Sequence, residues 1–188
     1  MVYPDPKIVL SASRDATVRR WQLLSNNPPK YDCSISSHGS SFINAITYLP
    51  PSKQFPEGLV ISGGKDTIIE ARQPGKPPEE NAEALLLGHA HNVCALDVSP
   101  KGDYVVSGSW DSTARIWDVG KWDCSAILEG HGGSVWAVLA YDFDMVITGS
   151  LHLLSTHGLL RTLTVQYRVR RQINKTICTF QRQAPKDH

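Results

Sequence analysis

The 188 residues are 41% hydrophobic, 8% aromatic and 20% charged, a balance that excludes a disordered or fibrous chain. A formal net charge of +1 offers no global field to select nucleic acid or an anionic membrane, and no apolar run approaches the roughly 20 residues of a spanning helix. The charge is uneven: residues 151–188 carry seven basic residues against Asp187 alone, whereas residues 1–150 carry 12 basic and 17 acidic ones.

In chain order, Met1–Lys7 lacks the apolar core of a signal peptide. Ile8–Ser13 reads as a buried strand, Arg14-Asp15-Ala16 as a turn, and Thr17–Trp21 as the returning strand. The strand that should precede this unit is expected to be missing, because the chain opens mid-repeat. Asn26-Asn27-Pro28-Pro29 is a loop signal, and Tyr31–Ile35 a candidate outer strand. Ser37-His38 leads to an inner strand at Phe42–Tyr48. Pro50–Gly58 is an enlarged loop, and Leu59–Gly64 is an apolar strand entering a turn at Asp66.

Ala84–Leu87 precedes Gly88-His89, Val93–Pro100 is the next strand, and Lys101-Gly102-Asp103 turns into Tyr104–Ser109. Asp123–Leu128, Gly130-His131, Val135–Leu139 and Met145–Ser150 open a further unit. Aligning Ser150 with Ser109 puts His152 where Asp111 stands and Gly158 where Trp117 stands, so the pattern stops there. Leu159–Phe180 alternates in places and suits a strand or an unstructured tail equally. A boundary is therefore expected near 150, with 1–150 a repeat domain and 151–188 a basic tail, either disordered or the product of a reading frame that runs through an intron.

The stretch Ser107–Asp118, read with Gly88-His89, has the form of one complete WD repeat, and the other units echo it. Its polar set is His89, Ser107, Asp111 and Trp117. The aspartate can close a tight turn and accept a proton from the histidine. The other ring nitrogen can reach a strand hydroxyl, Ser107 or, as runner-up, Ser109. That hydroxyl can in turn receive the indole N–H, so every buried donor finds an acceptor. A Ser/His/Asp set invites a hydrolase reading, but no GxSxG elbow is present and the set recurs at the repeat period, which suits scaffolding. His89 and His91 have no metal-ligand pattern around them. No catalytic, metal or cofactor site is expected. Cys33, Cys94, Cys124 and Cys178 include no CxxC pair, so reduced thiols in a cytoplasmic and nuclear protein are expected.

Three stretches sharpen the reading: Ser11–Trp21, the Pro-containing loop running into Gly58–Asp66, and Gly108–Trp117 followed by Gly130-His131 and Ser134–Val138. Their order and spacing resemble the N-terminal WD-repeat propeller of the phospholipase A-2-activating protein family, the ubiquitin fusion degradation adaptors. The resemblance implies an all-β fold, a partial propeller holding about four of the family's seven blades. It also implies a truncated chain, because the family's ubiquitin-binding central domain and its C-terminal domain for a valosin-type AAA ATPase are absent.

The expected function is a non-enzymatic, ubiquitin-binding adaptor in ubiquitin homeostasis and proteasome-linked degradation, with no nucleic acid or membrane partner. A generic WD-repeat scaffold and a non-functional truncated fragment are the alternatives. The residues before each turn aspartate, Arg14, Lys65 and Trp110, and those after the histidine positions, Phe42, His91 and Asn92, are expected at one rim as partner contacts.

Overall fold

The structure is a computed structural model. It describes residues 2–5, 7–23, 30–34, 38–39, 41–74, 76, 80, 82–142, 145–152, 160–167 and 178–180, with the backbone alone for 2–5, 30–34, 142, 151–152, 160–167 and 178–180.

Short apolar runs separated by Asp, Gly and Pro turns fold as hairpins, and these build four antiparallel sheets of four strands each. The first holds β1 (Val2–Asp5), β2 (Ile8–Ala12), β3 (Val18–Gln22) and β4 (Lys30–Ser34). The second holds β5 (Ile43–Leu49), β6 (Leu59–Gly64), β7 (Ile69–Arg72) and β8 (Ala84–Leu86). The third holds β9 (Val93–Val98), β10 (Tyr104–Ser109), β11 (Ala114–Asp118) and β12 (Asp123–Leu128). The fourth holds β13 (Val135–Asp142), β14 (Met145–His152), β15 (Leu160–Tyr167) and β16 (Cys178–Phe180).

The sheets are successive blades of an all-β propeller. The first strands β1, β5, β9 and β13 lie next to one another, and the described residues form an open arc of four blades. The first blade is more complete than its sequence suggests. β1 pairs with β2 through Val2↔Leu10 and Asp5↔Ile8, so the preceding strand is present. Pro4 and Pro6 disguise it: proline cannot donate to a ladder, yet it is tolerated on a strand paired along one edge only. The fourth sheet runs through position 150 without a break, since β14 reaches His152 and pairs with β15 over eight residues.

Apolar side chains fill the seams between blades. Leu59, Ile61, Ile69 and Leu86 of the second blade pack with Val93, Val105 and Trp117 of the third. Leu10 and Val18 meet Ile43 and Val60 across the first seam, and Val106 and Ile116 meet Ala140 and Val146 across the third. Each valine, leucine or isoleucine among them contributes about 1.5–3 kcal/mol when fully buried.

One device repeats at the seams. A Cβ on Gly63 would stand 2.7 Å from Val93 Cγ1, and one on Gly108 would stand 2.9 Å from Val135 Cγ1. Glycine in the second strand of a blade thus lets the first residue of the next blade seat against its backbone.

The enlarged loop after β5 is a built element. Phe55 is 4% exposed, joins the second seam and lies 5.9 Å, centroid to centroid, from Trp122. Ser52 Oγ accepts from the Phe55 amide at 3.1 Å, and Tyr48 Oη donates to the Glu57 carbonyl at 2.9 Å. Gly58, at φ +70, closes the loop where a side chain would strike Tyr48.

Candidate partner-binding rim and its supporting network

The tight turn between the second and third strands of a blade positions the rim. In the third blade Asp111 Oδ1 accepts from the Thr113 amide at 2.9 Å and the Thr113 hydroxyl at 2.7 Å. Asp15 makes the same pair of bonds with Thr17, and Asp66 accepts from the Ile68 amide. Ala16, Thr67 and Ser112, each next after the aspartate, adopt positive φ of 66°, 70° and 69°. An aspartate that satisfies the turn's free amides makes this left-handed step tolerable for residues other than glycine.

Behind the turn stands a chain of four side chains. Trp117 Nε1–H donates to Ser107 Oγ at 2.8 Å, Ser107 Oγ lies 2.7 Å from His89 Nε2, and His89 Nδ1 lies 2.7 Å from Asp111 Oδ2. The Ala90 amide also donates to Asp111 Oδ2, at 3.0 Å. A neutral ring with its proton on Nδ1 satisfies every bond in one direction, from indole to hydroxyl to imidazole to carboxylate.

Electrostatics agree with that assignment. Burial, the largest influence, holds His89 below the ordinary imidazole range against the opposing pull of Asp111. Burial also pushes the Asp111 carboxyl up, but the bonds from Thr113, His89 and Ala90 outweigh it and bring the carboxyl down to about 2. Ser107 is 0% exposed, so no substrate can reach its hydroxyl and the set cannot act as a nucleophilic triad. Ser109 does another job: its hydroxyl donates to the His91 carbonyl and accepts from the Asp111 amide.

The other blades hold parts of this chain. In the second, His38 bonds Asp66 at 2.7 Å and Ser62 at 2.9 Å, but Arg72 occupies the tryptophan's register position. In the first, Trp21 donates to Ser11 Oγ at 2.8 Å. In the fourth, His131 Nε2 lies 2.7 Å from Thr148 Oγ1, so a threonine stands at the Ser107 position. The Gly158 position lies outside the described residues, and of His152 only the backbone is described.

At the rim, the six candidate residues fall into two clusters. Arg14 and Lys65 flank the Phe42 ring, at 5.8 and 5.5 Å from its centroid. The Lys65 amide donates to the Phe42 carbonyl, as the Trp110 amide does to the Asn92 carbonyl. Asn92 thus contributes backbone, while the His91 ring lies 5.5 Å from the Trp110 ring.

A further aromatic joins this second cluster. Trp136 of the fourth blade lies 5.3 Å from Trp110, and the two are 51% and 39% exposed. It holds the position of Cys94 and Asn44 in earlier blades, each one residue past the seated Val93 or Ile43. That register was readable in the sequence. Among the described residues no three His, Cys, Asp or Glu side chains converge to hold a metal.

Four-stranded blades carrying the His–Ser–Asp–Trp chain in whole or part define a WD-repeat β-propeller protein. Residues 82–118 match the family described as WD domain, G-beta repeat. The chain is 36% identical over 129 residues to the phospholipase A-2-activating protein of Xenopus laevis, covering 69% of this chain and 15% of that protein. It is 34% identical over 117 residues to the ubiquitin homeostasis protein lub1 of Schizosaccharomyces pombe, covering 61% of this chain and 15% of the relative. Among solved structures, the WD40 β-propeller domain of Doa1 superimposes with a TM-score of 0.69 at 29% identity, covering 89% of this chain and 50% of that one. The chain belongs to the WD-repeat family of the phospholipase A-2-activating protein and the ubiquitin fusion degradation adaptors. It spans less than a fifth of the length of these curated relatives.

Proposed function

We propose that the chain is a ubiquitin-binding WD-repeat adaptor serving ubiquitin homeostasis and proteasome-linked degradation. The observation that carries this reading is the exposed aromatic cluster of His91, Trp110 and Trp136 on a rim held by rigid strands. Large aromatics on a fixed backbone bind at low entropic cost and anchor apolar patches on partner proteins. The names of two relatives, a ubiquitin homeostasis protein and a ubiquitin fusion degradation protein 3 homolog of Caenorhabditis elegans, supply the partner class. Ser107 burial speaks for binding and against hydrolysis.

The test is retention of the folded 188-residue chain on immobilised ubiquitin. Retention that falls at least about tenfold with Trp110→Ala or Trp136→Ala supports the reading, on the scale of an aromatic anchor. Absence of retention by a chain that melts cooperatively would leave a WD-repeat scaffold without ubiquitin affinity.

A further inference from the structure

Arg14, Lys65 and Trp110 hold one position in three successive blades, directly before the turn aspartate. Trp110 continues into the aromatic cluster, but the first two blades place cations there. Both cations lean on one ring: Arg14 Cζ is 5.8 Å and Lys65 Nζ 5.5 Å from the Phe42 centroid, and Phe42 is 42% exposed.

The acids beside them are turned to internal work. Asp15 accepts from Thr17 and pairs with Arg19 at 2.8 Å, and Asp66 accepts from Ile68 and bonds His38. Among the described residues no carboxylate pairs with Arg14 or Lys65. Two positive charges therefore face solvent, held over an apolar ring before any ligand arrives. Cation–π contact of this kind restrains long side chains that would otherwise have to be ordered on binding.

We propose that Arg14, Phe42 and Lys65 form a docking point for an acidic segment of a partner protein, with carboxylates on the two cations and an apolar side chain on Phe42. The chemistry favours a carboxylate peptide over nucleic acid. Polyphosphate binding draws on many contacts, roughly 6–10 in a typical DNA complex, whereas this cluster offers two cations. This docking point is independent of ubiquitin binding, since it involves neither Trp110 nor Trp136.

The test uses the full 188-residue chain and fluorescence anisotropy with four labelled probes. These are a short peptide alternating glutamate and phenylalanine, its glutamine and lysine counterparts, and an oligothymidylate. The glutamate peptide is expected to bind at low salt and weaken as salt rises, with the glutamine peptide about tenfold weaker. Arg14→Ala with Lys65→Ala is expected to cost about tenfold, two exposed charge contacts together. Arg14→Glu with Lys65→Glu should abolish binding of the glutamate peptide and admit a lysine counterpart. Thermal melts matching the parent chain establish that both variants fold. The proposal is overturned if the glutamate peptide does not bind, if it binds no better than the glutamine peptide, or if neither double variant changes its affinity. It is also overturned if the oligothymidylate binds more tightly than the glutamate peptide.

Discussion

Arg72 Nε lies 2.9 Å from Glu70 Oε1, and both side chains are buried in the second blade. Arg72 pairs with Val60 in the register where Trp117 pairs with Val105, and Glu70 stands opposite Ser62 where Arg115 stands opposite Ser107. The second blade has thus exchanged a tryptophan and a cation for an ion pair. The Nε contact lies outside hydrogen-bond geometry, while Arg72 Nη1 donates to the Glu80 carbonyl. Glu70 Oε2 also lies 3.8 Å from Nε2 of His38, whose Nδ1 bonds Asp66.

Removing one member strands a buried charge. Glu70→Ala or Arg72→Ala is expected to cost about 3–5 kcal/mol, and Glu70→Leu combined with Arg72→Met to recover most of that loss. Urea denaturation of the two single variants and the double variant measures it. A double variant showing the sum of the single losses would exclude the pairing.

The complete polar chain in the third blade should outweigh its partial copies. Ser107→Ala removes the acceptor of Trp117 and the partner of His89 together, whereas Ser11→Ala removes the acceptor of Trp21. At about 1–3 kcal/mol for each buried group left unsatisfied, Ser107→Ala costs more, and Ser11→Ala less because its site is half-buried. Chemical denaturation midpoints give the order, and a reversed order would contradict the role assigned to His89.

Acid should act in two stages. Burial holds His89 and His131 below 6.5, so the fold prefers both rings neutral. Their contribution to stability is complete above the unfolded value and is lost as pH falls below it. The Asp111 carboxyl, at about 2 against 3.8 unfolded, contributes fully above 3.8 and loses that contribution as pH falls further. The melting temperature should therefore begin to decline below about pH 6.5 and fall again below about pH 4. Thermal melts across this range check it; a melting temperature constant from about pH 7 to pH 5 would refute the neutral-ring assignment.

The cysteines should separate by reactivity. The Cys94 thiol donates to the Val135 carbonyl at 2.9 Å across the third seam, and burial pushes its pKa up to about 12. Cys124 is exposed on the third blade's last strand. Maleimide at neutral pH, followed by peptide mapping, should label Cys124 promptly and Cys94 only after denaturant is added, because the thiolate is the reactive form. Equal labelling in the folded chain would show that the seam opens.

The sequence carried the architecture wherever a residue type is forced. Asp111, Trp117 and their echoes were legible because a tight turn needs an acceptor and a buried indole needs a partner, at spacings the hairpin sets. The His89–Ser107 link was the first choice from sequence, with Ser109 on the same strand face as runner-up, and His89 Nε2 does meet Ser107 Oγ. β1 was hidden by Pro4 and Pro6, whose local signal is a turn, although an edge strand tolerates them. The Glu70–Arg72 pair was invisible because each residue alone reads as solvent-facing, and only the register opposite Val60 and Ser62 buries them. Trp136 escaped as a rim residue because its neighbour Trp110 is 26 positions earlier in the chain and meets it only across a seam.

The glycine seats also give the chain a direction. Gly63 waits for Val93, and Gly108 for Val135, so the second and third blades each offer a socket that only later-made sequence can fill. A ribosome adding roughly 5–20 residues per second supplies the missing plug about 1.4–6 seconds after the socket emerges. A bulky side chain at either glycine would meet that plug on arrival and hold the two blades apart.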